Sequence, residues 1–294
     1  MYLVFDIGGT AIKYCHMNEH GEIFDKHEIS SKKLNSLEVF IETISSIYHQ
    51  SKEKIEGIAL ASPGVIDAQQ GVINIVMAYP YLSGQNVTKL LSKACDGVKV
   101  TVENDAKCAG LAEAWKGNAQ DYQDAVMVII GTGIGGAVIK DKQIHHGAHL
   151  FAGEISTMIL NYNPKTKKAL TWSDVASTRA LCIHVAKALG IAEINGREVF
   201  ALANQGNQTV LEVLKEFCYQ TAIQLFNVQY VYDPEIICIG GGISKQPLLI
   251  EMLNVAIDEI GEASNQLLKP KITSCKFYND AKLIGALAYF LLMK

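Results

Sequence analysis

Two stretches of the sequence have the pattern strand, glycine turn, strand, one over residues 4–10 and the other over residues 128–136. A turn of glycine and threonine at the tip of a buried hairpin leaves backbone N–H groups free, and such groups bind anionic oxygens. The two turns predict a nucleotide phosphate tail held between two related lobes, whereas a plain hairpin turn is the alternative for either motif alone. The residues predicted to bind phosphate are Gly8, Gly9 and Thr10 in the first turn and Gly131, Thr132 and Gly133 in the second.

A third glycine turn, residues 240–242, follows an apolar run and precedes a helical pattern. Gly241 and Gly242 would let a flat ligand lie against the backbone, and adenine or ribose is the predicted ligand. A strand-to-helix loop without any ligand is the alternative. The second turn lies inside a hairpin rather than at the start of a helix, which disfavours a dinucleotide-binding Rossmann fold.

Two aspartates lie at the ends of predicted strands. Asp105 also begins a helix, where backbone N–H groups stabilise a carboxylate, and it is predicted to accept the proton of a substrate hydroxyl. A helix cap is the alternative, and the two roles are compatible. Asn104 is predicted to hydrogen-bond a neighbouring hydroxyl. Asp6 is predicted to hold Mg²⁺ through water, because Mg²⁺ favours carboxylates and keeps part of its hydration shell.

The glycine turns and the aspartates are positioned by the predicted strands and helices around them. The apolar pattern predicts a three-stranded meander, a helix, two buried strands and a second helix, and then a repeat of the meander. The rest is mostly helical, and a lobe boundary is expected near residues 117–123. The predicted strands are 2–7, 12–17, 22–27, 55–61, 98–102, 125–130, 135–140, 143–145, 235–239 and 272–277, and the predicted helices are 36–51, 104–116, 177–189, 197–204, 209–232, 247–260 and 280–292.

The composition is that of an ordinary globular protein of 294 residues, 49% hydrophobic and 19% charged, with a net charge of −4. This charge gives no general attraction for nucleic acid or an anionic membrane. No apolar run approaches the ~20 residues that span a bilayer, and the N-terminal residues lack a signal-peptide pattern. We therefore expect a cytoplasmic protein that binds neither nucleic acid nor membrane.

Neither the cysteines nor the histidines form a metal-ligand pattern. The seven cysteines are scattered without a CxxC pair, so we expect reduced thiols and no structural zinc. His145, His146 and His149 lack the spacing of a helical metal pair and are predicted to be loop residues. Glu154 is predicted to accept hydrogen bonds from sugar hydroxyls, with a surface charge as the alternative.

Taken together, these residues resemble those of the ROK family (repressor, open reading frame, kinase) of sugar kinases, within the actin-like ATPase superfamily. The resemblance covers essentially the whole chain. Its motifs, in order, are residues 5–10 with Lys13, Ser62-Pro63-Gly64, Glu103-Asn104-Asp105-Ala106, residues 130–136, Ala152-Gly153-Glu154, residues 239–243, and Asn279-Asp280-Ala281 leading to Gly285-Ala286.

The resemblance implies an α/β, two-lobed actin-like ATPase (ribonuclease H-like) fold, with ATP and sugar meeting in a central cleft. The N-terminal lobe, on the sugar and phosphate side, would comprise residues 1–117 and the C-terminal helix 279–294, and the nucleotide-side lobe residues 118–278. Asp105 would be the general base, and Asp6 would lie near Mg²⁺. A homodimer is also expected. The implied sugar contacts are Gly64, Asn104, Asp105, Glu154 and Thr157, and the implied ATP contacts are Asp6, Lys13 and the three glycine turns.

The implied reaction is transfer of the γ-phosphoryl group of ATP to a primary hydroxyl, O6, of a glucoside, a hexose or an N-acetylhexosamine. Two departures from the family bear on the acceptor. Thr157 stands where the family has a histidine in Gly-Glu-x-Gly-His, and Ser173 stands where its zinc loop ends in Cys-Leu-Glu. Both changes open room at the anomeric end, as in the β-glucoside kinases. We therefore expect a β-glucoside or disaccharide, with N-acetylmannosamine kinase and glucokinase activities as alternatives.

Two other classes of protein share this resemblance. The repressors of the family carry a winged helix-turn-helix before the first turn, and here that turn begins at residue 6, so no DNA-binding domain is expected. A sugar-sensing protein without catalysis is also disfavoured, because Asp6, Asp105 and both phosphate turns are present.

Overall fold

The computed structural model describes all 294 residues, which divide into two compact units. The first unit comprises Met1–Trp115, His146–Phe151 and Asn279–Lys294, and the second comprises Lys116–His145 and Ala152–Tyr278. The domain bounds of the sequence analysis stay a prediction, because compactness does not show that either unit folds alone. No helix combines the length and the apolar content that crossing a bilayer requires.

Fourteen strands and nine α-helices make up the chain. The strands are β1 (Tyr2–Ile7), β2 (Ala11–Met17), β3 (Ile23–Ser30), β4 (Gly57–Ser62), β5 (Val65–Asp67), β6 (Val72–Ile75), β7 (Val100–Asn104), β8 (Ala125–Ile130), β9 (Ile134–Lys140), β10 (Gln143–Ile144), β11 (Ile159–Asn163), β12 (Lys168–Thr171), β13 (Ile236–Gly240) and β14 (Ile272–Ser274). The helices are α1 (Leu37–Gln50), α2 (Val87–Ala94), α3 (Asp105–Lys116), α4 (Trp172–Ala176), α5 (Thr178–Leu189), α6 (Gly196–Asn204), α7 (Gln208–Tyr232), α8 (Pro247–Ala263) and α9 (Ala281–Leu292).

Both units contain a five-stranded sheet with the same strand arrangement. The first has the order β3-β2-β1-β4-β7, and the second has the order β10-β9-β8-β13-β14. In each, the first three strands form an antiparallel meander, and the last two pair parallel to it. The repeated hairpin that the sequence predicts is therefore part of a repeat of the whole sheet.

The parallel strands of the first sheet end at one edge, and their polar residues meet there. Asp6 pairs in register with Ala61, and Ala61 pairs with Glu103 of β7. Ser62 and Asn104 form the next pair. Parallel strands present their carboxyl ends together, which is where open α/β sheets bind ligands. The register thus places Asp6 and the start of α3 at the same edge.

Apolar helices cover these sheets. Helix α9 packs against β1, β4 and β7, and it is apolar all round because almost every residue from Ala281 to Phe290 is buried. The core of the second unit lies between its sheet and helices α4 to α8, with Trp172 and Phe200 among its fully buried side chains. Each helical layer therefore covers one face of its sheet.

Helices α2 and α4 and the hairpins β5–β6 and β11–β12 were not predicted from the sequence. Helix α2 and the β5–β6 hairpin lie in residues 63–97, for which no element was predicted. The β11–β12 hairpin was also missed, because most of its residues are exposed and no alternation of buried and polar positions marks it. The predicted strand 272–277 ends earlier, at Ser274.

The close approach of α9 to α3 allows a test of this packing. A Cβ added at Gly285 would lie 1.6 Å from the backbone oxygen of Cys108, so we expect Gly285→Ala to lower the free energy of unfolding by about 3 kcal/mol. Gly261→Ala, in α8, is the matched control, since its Cβ would meet only the flexible Lys269 side chain. Urea unfolding should show Gly261→Ala within about 1 kcal/mol of wild type; equal losses would contradict this packing argument.

Candidate active site

The first glycine turn lies between β1 and β2 and is closed by a hydrogen bond from Gly8 N–H to Ala11 O at 3.0 Å. A Cβ at Gly8 would lie 2.7 Å from that same oxygen, so glycine is needed there for the turn itself. Gly9 and Thr10 are exposed, and their backbone N–H groups donate to no protein acceptor. The turn therefore has the two free donors that an anion site requires.

The second glycine turn joins β8 to β9 and also leaves two backbone N–H groups without a protein acceptor. The Gly131 N–H is used within the turn, bonding to Gly133 O at 2.8 Å, and Ile134 N–H donates to Ser173 Oγ at 3.2 Å. The N–H groups of Thr132 and Gly133 donate to no protein acceptor. Ser173 thus closes the turn in this chain.

The third turn divides its glycines between two roles. Gly241 has φ +93°, and a Cβ there would lie 2.0 Å from Ile130 O, so close backbone packing demands glycine. Its own carbonyl accepts from Ser244 Oγ at 2.8 Å. Nothing lies within 4 Å of a Cβ at Gly242, which leaves that position open to a ligand.

Asn104, rather than Asp105, caps helix α3. Its Oδ1 accepts from the N–H groups of Ala106 and Lys107, at 2.9 and 3.0 Å. Its amide nitrogen donates to Gly64 O at 2.9 Å, which leaves one N–H of that amide for another partner. Because Asn104 does the capping, Asp105 uses only Oδ1 locally, accepting from Ala106 N–H, and its Oδ2 points to a different group.

That group is the ammonium of Lys282, in the first turn of α9. Its Nζ lies 2.5 Å from Asp105 Oδ2 and 3.8 Å from Asp6 Oδ1. Burial disfavours its charged form, but the carboxylates of Asp105 and Asp6 outweigh this and raise the pKa of Lys282 above its ordinary value. One lysine therefore compensates the charge of the two aspartates to which the sequence analysis assigns chemistry.

Asp6 is the more buried of these aspartates, and its Oδ1 has no hydrogen-bond donor. Burial raises the pKa of the Asp6 carboxyl, even though the charges of Lys282 and Lys13 act in the opposite direction. A buried carboxylate oxygen without a donor suits a hydrated cation, and Mg²⁺ needs only one or two protein carboxylates when phosphates supply other ligands. No group of three or more His, Cys, Asp or Glu side chains is placed to hold a metal ion.

Two buried charges hold residues 146–151 against β7 and α3. Glu103 is fully buried, accepts from Asn104 N–H at 2.6 Å and lies 2.6 Å from His146 Nε2. Lys107, also buried, donates to Leu150 O at 2.8 Å. His146 is a loop residue, as the sequence analysis predicts, but it is the partner of a buried carboxylate next to the cap of α3.

The remaining residues predicted to contact sugar lie on turns. Gly64 has φ +102°, and a Cβ there would lie 2.1 Å from Ile75 O, so the backbone conformation requires glycine. In the second unit, Glu154 precedes the single helical turn of residues 155–157, and Thr157 Oγ1 donates back to Glu154 O at 3.0 Å. The roles of Gly64, Glu154 and Thr157 toward a sugar stay predictions.

No sequence pattern marks the residues that reach this site from other parts of the chain. Lys282 follows the Asn279-Asp280-Ala281 motif, but no spacing in the sequence brings residue 282 to residue 105. Tyr79 and Ser31 bond to the first glycine turn and carry no motif of their own. Only a tertiary structure pairs these side chains with the turn and the aspartates.

Comparison with known proteins adds independent information. A sequence profile of the ROK family matches residues 2–292. A β-glucoside kinase of Listeria monocytogenes is 30% identical over 290 residues, covering 98% of this chain and 96% of the kinase. An N-acetyl-D-glucosamine kinase of Haemophilus influenzae is 28% identical, with 99% of each chain covered. The solved structure of a ROK family protein from Streptococcus pneumoniae, in complex with sucrose, matches with a TM-score of 0.90 and 33% identity, covering 99% of this chain and 98% of that one. These matches and the repeated sheets confirm the predicted α/β actin-like ATPase fold.

The position of Lys282 between two carboxylates predicts an effect on stability. Lys282→Met should lower the free energy of unfolding by about 1–2 kcal/mol, because it removes the ammonium that pairs with Asp105 and lies 3.8 Å from the buried Asp6 carboxylate. Lys26→Met is the control, since Lys26 pairs with Asp280 at the same end of α9 in a more exposed setting. Lys26→Met should lower the free energy of unfolding by no more than about 0.5 kcal/mol. Urea unfolding at neutral pH measures the free energy of unfolding of both variants. An equal decrease in the two would contradict the inference that Lys282 compensates buried carboxylates.

Proposed function

Because this chain belongs to the ROK family, we propose that it is an ATP-dependent sugar kinase that phosphorylates a primary hydroxyl group. The relatives named above are kinases of β-glucosides and of N-acetyl-D-glucosamine, which supports the class of reaction. The observation that carries the proposal is the Asp105 carboxylate, held at the start of α3 and paired with Lys282 at the edge where Asp6 also lies.

In the proposed reaction, Asp105 accepts the proton of the acceptor hydroxyl, O6. The deprotonating oxygen attacks the γ-phosphorus of ATP in line, a new O–P bond forms, and the bond from the γ-phosphorus to the bridging oxygen breaks. ADP leaves with that electron pair, and the proton stays on Asp105. Most of the catalysis in such a transfer is positioning and electrostatic stabilisation.

The phosphate tail would be bound by free backbone N–H groups of the glycine turns, with Lys13 adding positive charge. Mg²⁺, when bound with ATP, would neutralise phosphate charge, and Asp6 would hold it through water. The residues proposed to bind the nucleotide are Asp6, Gly8, Gly9, Thr10, Lys13, Gly131, Thr132, Gly133, Gly241 and Gly242. Of these, Gly8 and Gly241 also have structural reasons to be glycine.

For the acceptor we propose a β-glucoside or a disaccharide. The Listeria relative is a β-glucoside kinase, and the Streptococcus relative was determined with sucrose, itself a disaccharide. Thr157 and Ser173 stand where bulkier His and Glu side chains are expected, which supports a larger group at the anomeric end. The proposed sugar contacts are Gly64, Asn104, Asp105, Glu154 and Thr157. N-acetylmannosamine, N-acetylglucosamine and glucose are the alternative acceptors.

A coupled ADP assay on a panel of sugars tests the proposed acceptor. We expect kcat/KM for cellobiose to exceed the values for glucose, mannose, N-acetylmannosamine and N-acetylglucosamine by about 10-fold or more, which corresponds to about 1.4 kcal/mol of added binding through the second sugar. A free hexose or N-acetylhexosamine with the highest kcat/KM would overturn the glucoside assignment and leave the kinase assignment intact.

Substitution of the proposed base tests the reaction itself. Asp105→Asn should lower kcat by about 100-fold or more, because general base catalysis contributes at least that factor, while sugar binding measured by calorimetry persists. Asp280→Asn is the matched control, since Asp280 pairs with Lys26 and has no assigned role in catalysis. Turnover of Asp105→Asn at the wild-type rate would refute the general-base role.

A further inference from the structure

Three consecutive carbonyl groups of the β1–β2 turn accept hydrogen bonds from residues distant in the sequence. Gly8 O accepts from Tyr79 Oη at 2.5 Å, and Gly9 O accepts from Ser31 Oγ at 2.9 Å. Thr10 O accepts from the backbone N–H of Ser31 at 3.1 Å. The inner side of the turn is therefore held by two residues that belong to neither of its strands.

These bonds set the direction of the N–H groups that the turn leaves free. The carbonyl and the N–H of a trans peptide group point in opposite directions. The Gly8 carbonyl shares a peptide group with Gly9 N–H, and the Gly9 carbonyl shares one with Thr10 N–H. A hydrogen bond that draws each carbonyl inward thus turns the corresponding N–H outward. No atom lies within 4 Å of a Cβ at Gly9, so the turn is open at that position.

The two supporting side chains are themselves buried. Tyr79 is 3% exposed and Ser31 is 8% exposed, so they act through the backbone of the turn rather than at its surface. Burial raises the pKa of Tyr79 above its ordinary value, so its O–H stays a donor at neutral pH and above. Both residues precede or begin short helical turns, residues 31–33 and 80–82, which fix their backbones.

We propose that Tyr79 and Ser31 are positioning residues for phosphate binding, which hold the first glycine turn with the N–H groups of Gly9 and Thr10 facing the anion. The inference rests on the proposed function, because the anion is the phosphate tail of ATP. Donors that are already oriented need no reorganisation when the charge arrives, so loss of this support weakens nucleotide binding and leaves the acceptor unaffected.

The second unit has the same arrangement with a different donor. The backbone N–H of Thr178, at the start of α5, donates to Gly131 O at 2.9 Å, and its Oγ1 lies 3.4 Å from Ile130 O. Since the Gly131 carbonyl shares a peptide group with Thr132 N–H, this bond turns that N–H outward. In both turns that are predicted to bind phosphate, a hydrogen bond to a turn carbonyl thus orients the N–H group of the next residue.

The test compares Tyr79→Phe with Tyr81→Phe. Tyr81 packs edge-on against Tyr79, with ring centroids 6.0 Å apart, and its hydroxyl donates to Leu34 O at 2.6 Å and not to the glycine turn. Each variant therefore loses one hydrogen bond from a tyrosine to a backbone carbonyl, and only one of the two bonds orients the turn. Calorimetry measures the affinity for AMP-PNP with Mg²⁺ and, separately, for adenosine, which has no phosphate.

We expect Tyr79→Phe to weaken AMP-PNP binding and to raise the KM for ATP by about 3–10-fold, the effect of one hydrogen bond. Tyr79→Phe should keep the wild-type affinity for adenosine and the wild-type KM for the sugar. Its thermal stability should equal that of Tyr81→Phe. Ser31→Ala should act in the same direction. The double variant should lose more than the product of the single effects, because either bond alone still restrains the turn.

The outcomes separate this inference from the proposed function. Tyr79→Phe and Ser31→Ala proteins that bind AMP-PNP as tightly as wild type, in an enzyme that transfers phosphate and depends on Asp105, overturn the positioning role alone. Equal losses in Tyr79→Phe and Tyr81→Phe, or an equal loss of adenosine binding, assign the tyrosines to general stability and also overturn it. Wild-type protein that transfers phosphate to no sugar overturns the proposed function and this inference together.

Discussion

The ion pair between Asp105 and Lys282 is the interaction on which the arrangement of the candidate site depends. Asp105 begins α3 and Lys282 lies in the first turn of α9, so the pair joins two helices whose N-termini meet at the same edge of the first sheet. The same ammonium faces Asp6, the last polar residue of β1. Without this cation, two carboxylates would lie at one edge with no opposite charge as close, and a buried carboxylate is stable only when its charge is compensated.

That ion pair is possible because the packing of α9 is tight and uniform. Gly285 lets the backbone of α9 reach the Cys108 carbonyl of α3, and Gly57 leaves room for the Phe290 ring over β4. These contacts fix the height of α9 on the sheet and hence the position of Lys282. Asn104 contributes in a different way: by capping α3 it leaves one oxygen of Asp105 free for the lysine. Core packing and helix capping therefore determine the geometry of a charged group at the surface of the sheet.

The sequence was sufficient for the parts of the site that are local in the chain. Apolar runs on both sides of glycine predict the hairpins at residues 4–10 and 128–136. An apolar strand followed by polar residues and a helical pattern predicts the junction at Asn104 and Asp105. Lys282 and Tyr79 could not be found in this way, because each reaches its partner through tertiary packing over 177 and 71 residues. The β11–β12 hairpin escaped prediction for another reason: it is largely exposed, so burial imposes no pattern on its sequence.

The glycines of the site show why a motif alone does not define a contact. Gly8, Gly64 and Gly241 have no room for a Cβ, since backbone oxygens lie within 2.7 Å of the position it would take. Gly9 and Gly242 have open space in the same place. The first group is glycine because the chain passes close to itself, and the second group has no such reason within the protein. Gly8 and Gly241 are therefore glycine for the shape of their turns, whereas at Gly9 and Gly242 the fold itself leaves space beside the backbone.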